Sequence, residues 1–133
     1  LVKMFMAEES NNLKKIVMVV EDDPTILELY EHAFKAAGFG TFIAHDGEEG
    51  INLIKSKLPD CVILDILMPK MNGIEVLKEM RENEKTREIP VLVLTNYDTY
   101  RDKIEEYNVS DYIVKASVTL KDIIEKVSII LKK

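Results

Sequence analysis

A handful of side chains in this 133-residue sequence could share one piece of phosphoryl chemistry: Glu21, Asp22 and Asp23 in a single acidic run, then Asp65, Thr95 and Lys115. Clustered carboxylates repel one another, so a site gathering several of them costs energy unless a cation neutralises it. A few hard oxygen donors, with room left for water and phosphate oxygens, describe Mg²⁺. A carboxylate beside such a cation can act as a nucleophile and become an aspartyl-phosphate. An ammonium and a hydroxyl around the equatorial oxygens would add the positioning and charge neutralisation that phosphoryl transfer needs. Each residue also has a plainer reading. Asp23, followed by Pro24, reads as a helix cap. Thr95 could simply close a strand, and Lys115 could be a solvated charge. Asp65 is harder to dismiss, because a carboxylate closing a buried Val-Ile-Leu run is expensive without a partner.

These residues are far apart in the chain, so the elements around them must bring them together. Four short apolar runs are unbroken and rich in Val and Ile: Ile16 to Val20, Cys61 to Ile66, Val91 to Leu94 and Asp111 to Lys115. Such runs suit a parallel sheet covered on both faces. A weaker strand candidate spans Thr41 to His45. Between the runs lie helical patterns. The first has cap Asp23, stripe Ile26, Tyr30, Ala33, Phe34 and Ala37, and a stop at Gly38. The second opens at Asp46 with Glu49 as a capping box and presents Ile51 and Ile54. The third starts near Gly73 with Ile74, Leu77 and Met80. The fourth presents Tyr100, Ile104 and Tyr107, read as packing rather than a ligand platform. The last starts at Thr119, with Asp122 in the capping-box position, and shows Leu120, Ile123, Ile124, Val127 and Leu131.

Strand and helix thus alternate five times, which predicts an α/β domain with a parallel sheet and right-handed crossovers. Ligands of such sheets bind beyond the carboxyl ends of the strands, where the strand order reverses. The acidic run, Asp65, Thr95 and Lys115 all fall at those ends.

Composition narrows the classes. Hydrophobic residues are 47% and charged residues 32%, a globular balance. The net charge of −6 disfavours direct nucleic-acid binding, and no apolar run approaches a membrane span. The single cysteine, Cys61, reads as a small buried hydrophobe and fits a reducing cytoplasm. His32 and His45 have no companion ligands in the sequence. Residues 1–12 are expected to form a flexible leader and 13–133 the domain proper.

The strings VVEDDP, VILDILMPKMNGIEVLKEMR, VLVLTN and DYIVK resemble the response-regulator receiver domain of two-component signal transduction, over about residues 14–132. The resemblance implies a flavodoxin-like, CheY-like doubly wound (βα)5 fold with sheet order 2-1-3-4-5. It implies that Asp65 is the phosphoacceptor. Asp22 would bind Mg²⁺ directly, Glu21 through water, and Asp65 and the Leu67 carbonyl would complete the protein ligands. Thr95 would be the switch hydroxyl, Lys115 the cation pairing with the phosphoryl oxygens, and Tyr112 the aromatic that turns inward on activation. Met68 belongs to the same motif. The implied partners are a sensor histidine kinase or phosphotransfer protein and a downstream protein reading the fourth-helix, fifth-strand, fifth-helix face. The resemblance also allows a homodimer. The chain would then catalyse only its own phosphorylation and dephosphorylation.

Some positions depart from the family pattern. Ala116 follows Lys115 where the family has proline, often cis. A cis bond before alanine costs about 2.5–4 kcal/mol, so a trans bond is expected. Asn96 follows Thr95 where a smaller residue is usual, and should narrow access to Asp65. Leu67 and Tyr97 are poorly suited to orient an attacking water, which predicts a long-lived phosphorylated state. The Thr95–Lys115 stretch is shorter than the family norm, so the fourth helix or its leading loop must be trimmed. An aspartate-nucleophile phosphatase would want a second aspartate where Leu67 stands. A flavin protein would want a phosphate loop where EDDP would repel one. The remaining alternative is a pseudo-receiver, a phosphorylation-independent interaction module.

Overall fold

Unbroken Val- and Ile-rich runs become interior strands when both of their faces are covered. The computed structural model describes residues 14–68, 70–96 and 98–132. The expected leader 1–12, together with Pro69 and Tyr97, lies outside the described residues. Five strands, β1 (Ile16–Val20), β2 (Gly40–Ala44), β3 (Cys61–Asp65), β4 (Val91–Thr95) and β5 (Asp111–Val114), form one sheet. Its order is β2-β1-β3-β4-β5 and every pairing is parallel. The helices are α1 (Pro24–Ala36), α2 (Gly47–Lys57), α3 (Gly73–Glu82), α4 (Arg101–Glu105) and α5 (Leu120–Leu131), with a 3₁₀ turn at Lys115–Ser117.

Successive strand side chains point to opposite faces, and the two faces bury separate cores. Met18, Val20, Val62, Leu64, Val91 and Val93 pack with Ile51, Ile54, Val76, Leu77 and Met80 of α2 and α3, and with Ile104 of α4. Val17, Val19, Ile63, Leu92 and Leu94 pack with Leu27, Tyr30 and Phe34 of α1 and Ile123 and Val127 of α5. The expected fold class is therefore the one observed. No helix among the described residues is long and apolar enough to cross a membrane.

The local signals act as their chemistry dictates. Asp23 accepts hydrogen bonds from the amides of Thr25 and Ile26, Asp46 from that of Glu49, and Thr119 and Asp122 close a full capping box on α5. Gly38, at φ 94°, lets the Phe39 amide reach back to the Phe34 carbonyl at 3.0 Å, a left-handed helix stop.

Several expectations need correction. The buried stripe of α1 is Leu27, Tyr30 and Phe34, whereas Ile26 and Ala33 are half-buried and Ala37 is exposed; the inward face is rotated by about a residue. β3 ends at Asp65 rather than Ile66, and β5 ends at Val114, with Lys115 opening the turn. The fourth helical stretch, expected through Tyr107, is helical only over Arg101–Glu105. It has no side-chain cap at its start, and Asn108 adopts a left-handed φ of 53° just beyond it. The trimming expected from the short Thr95–Lys115 stretch thus falls on this helix.

Candidate functional site

All five strands point the same way, so their carboxyl ends share one edge, and the order reverses between β1 and β3. Glu21 leaves β1 with its amide still bonded to the Ala44 carbonyl at 3.1 Å, which keeps the side chain buried, 3% exposed. Asp22 follows on the open side. Asp65 ends β3 and is 8% exposed. One carboxylate oxygen from each of Glu21, Asp22 and Asp65 lies within 4.8 Å of the others. Lys115 donates to Glu21 Oε1 at 3.0 Å and stands 3.7 Å from Asp65 Oδ2. Its bond to Ala116 is trans, as no cis peptide occurs among the described residues, and the 3₁₀ turn still brings the ammonium over the carboxylates. These groups line a cleft of about 310 Å³ with Asp23, Ile26, Leu67, Thr95 and Asn96.

Burial first, and then the facing Asp65, push the Glu21 carboxyl up to about 8, against the pull of Lys115. For Lys115, burial favours the neutral amine, yet Asp65 and Glu21 together outweigh it and hold the ammonium charged beyond the ordinary lysine range. Glu21 Oε2 is buried with no hydrogen-bond partner among the described residues, a costly state for a carboxylate oxygen. A divalent cation among Glu21, Asp22 and Asp65 would satisfy that oxygen and offset the mutual repulsion, so the donors present fit Mg²⁺.

The loop after β3 is held by two close approaches. The Gly73 amide donates to the Ile66 carbonyl at 2.9 Å, and a Cβ at Gly73 would press into the Asp65 carbonyl. At the other contact, a Cβ at Gly47 would overlap the Met71 carbonyl, while Lys70 lies 3.7 Å from Asp46. Leu67 sits on this pinned loop with its side chain exposed. The second flanking residue named from the sequence, Tyr97, is outside the described residues.

Thr95 ends β4 fully buried. The register Val93↔Tyr112 and Thr95↔Val114 puts Thr95 and Tyr112 on one face of the sheet. The Tyr112 ring is only 6% exposed and belongs to the core under α4. The Arg101 guanidinium covers it, 4.6 Å from the ring centroid. Sequence reasoning missed this contact, as it missed Ile26 on the cleft wall and the glycine at 47; contacts between separate elements leave no periodic signal. Residues set aside stay aside. His32 is exposed on α1 and His45 is exposed beyond β2. Cys61 is buried, and burial pushes its thiol up to about 12.

Comparison with known proteins gives one consistent answer. Residues 17–128 match the family model for the response regulator receiver domain. A curated relative, the uncharacterized transcriptional regulatory protein YcbL of Bacillus subtilis (strain 168), is 43% identical over 100 residues, covering 74% of this chain and 43% of the relative. The chain spans about two fifths of the length of the curated relatives it matches. Among solved structures, the receiver domain of the Francisella response regulator 1452 superposes with a TM-score of 0.80 at 30% identity, covering 90% of this chain and 98% of that one. Response regulator protein TrrA from Thermotoga maritima, in complex with Mg(2+)-BeF, gives 0.77 at 34% identity, covering 87% and 98%.

Proposed function

The chain belongs to the response regulator receiver domain family, and on that premise we propose that Asp65 accepts a phosphoryl group and that the acidic cleft around it binds the Mg²⁺ this transfer requires. The observation that supports this most is the convergence of Glu21, Asp22 and Asp65 within 4.8 Å, with the Lys115 ammonium already between Glu21 and Asp65. The donor is a phosphohistidine on a sensor kinase or phosphotransfer protein. An Asp65 oxygen attacks phosphorus, the P–N bond breaks, and its electron pair returns to the imidazole. The bound metal would supply charge neutralisation for the incoming phosphoryl oxygens.

The chain's own groups do the rest. Lys115 exchanges part of its pairing with Glu21 for the new dianion, a stronger charge-assisted contact. Thr95 moves its hydroxyl onto the phosphoryl oxygens. The rearranged Thr95 and Lys115 alter the α4–β5–α5 face beside them, and a downstream protein reads that face. Asn96 narrows the approach to Asp65, and the apolar Leu67 side chain cannot orient a hydrolytic water, so the phosphorylated state is long-lived.

Intact mass after incubation with acetyl phosphate and Mg²⁺ tests the reading. One added phosphoryl group is expected in the wild type, none in Asp65→Asn and none without Mg²⁺. In the same assay Leu67→Asn is expected to lose the group faster. A folded wild-type protein that gains no mass would make the chain a phosphorylation-independent interaction module instead.

A further inference from the structure

We propose that Arg101 is a latch on Tyr112, holding its ring in the inward position before any phosphoryl group arrives. The inference rests on the receiver reading and concerns how that site's signal is regulated. Tyr112 belongs to the same core as Ile104, its phenolic oxygen engages the Tyr100 backbone, and the guanidinium of Arg101 lies on the ring at 4.6 Å. An outward swing of the ring has to displace that cation.

The cation is itself held. Arg101 Nε donates to Asp98 Oδ1 at 2.9 Å, and its Nη1 stands 3.9 Å from Glu105. The five-residue α4 has no side-chain cap; the two pairs hold the guanidinium in place, and the stack joins the first residue of α4 to β5. The two halves of the latch lie on opposite sides of the trimmed segment: Arg101 opens α4, and Tyr112 lies in β5, in register with Val93, two residues before Thr95 on the same sheet face. A partly exposed cation–π contact shifts a two-state population by about two- to five-fold. Removing it moves the ring equilibrium outward, and phosphorylation then has a larger change left to drive.

The test uses the whole chain labelled with fluorotyrosine, with the Tyr112 ¹⁹F resonance assigned by comparison with Tyr112→Phe. In the wild type a single buried environment is expected for Tyr112, nearly unmoved by beryllofluoride with Mg²⁺. In Arg101→Gln the exposed population should rise about two- to five-fold and return inward on adding beryllofluoride with Mg²⁺. Arg101→Lys, which keeps the charge and loses the planar stack, should fall between the two. A merely structural arginine would lower the melting temperature and leave the Tyr112 resonance where it was; that result, or an already exposed ring in the wild type, overturns the latch. The comparison without beryllofluoride decides the latch alone. Failure of beryllofluoride to move the Asp65 and Thr95 amide resonances of the wild type would count against the phosphoacceptor reading instead.

Discussion

Glu21 is the side chain most out of keeping with its surroundings. It is a carboxyl 3% exposed, with one oxygen on Lys115 and the other without a hydrogen-bond partner among the described residues. Burial and Asp65 push it to about 8 from an ordinary value of 4.5, so between those values the folded chain holds a proton that the unfolded chain releases. Stability from this group is therefore full below about pH 4.5 and is lost as pH rises through about 8. In metal-free buffer, Glu21→Gln is expected to be more resistant to urea than the wild type at about pH 8.5, with the advantage shrinking toward pH 5. Parallel midpoint curves for the two proteins would mean that the carboxyl is ionised throughout. Asp65 was conspicuous in the sequence because a charge ends an apolar run. The strain on Glu21 was not, since it arises from burial in the folded chain and from Asp65 arriving beside it from another strand.

Among the elements, α3 does more than cover the sheet. Arg81, in its last turn, donates to the carbonyls of Tyr107 at 2.7 Å, Ile89 at 2.9 Å and Arg87 at 3.0 Å. One guanidinium thus ties the loops leading into β4 and β5 to the same helix. Arg81→Ala leaves those carbonyls without their donor and is expected to cost about 1–3 kcal/mol. A urea titration would measure the loss, and amide exchange should quicken around 106–110 ahead of the sheet. No pattern in the sequence pointed to this clasp, because its acceptors are main-chain atoms that any residue would offer. Strands and caps were legible for the opposite reason. Residues 17–20 and 61–64 are buried on both faces and so are apolar at every step, and Asp23, Asp46 and Thr119 act on amides only two or three residues away. The edge strand β2 is half-buried for most of its length and gave a weaker signal. The helix α4 was read as too long because Tyr100 and Tyr107 do pack on the core as expected, without being helical.

For the molecule as a whole, the sheet gathers charge at one edge while the rest of its surface disperses it. A ligand that binds only the folded arrangement stabilises all of it. Mg²⁺ at a hundredfold excess over its dissociation constant is expected to add about 2.7 kcal/mol, read as a rise in melting temperature. Asp22→Asn should reduce that rise sharply while folding normally, since Asp22 is exposed. An equal rise in both proteins would place the cation elsewhere. The pairing of Lys115 with Glu21 spans 94 positions of chain, and that separation sets a timetable for biosynthesis. A ribosome delivers β1 with its acidic residues early and β5 late. Until the last strand emerges, Glu21 and Asp65 have no lysine between them, and the acidic cleft stays unfinished on the nascent chain. On the proposed reading, a histidine kinase meeting a partly made chain would find an aspartate without its ammonium, and competence to receive the signal would arrive only with the completed sheet.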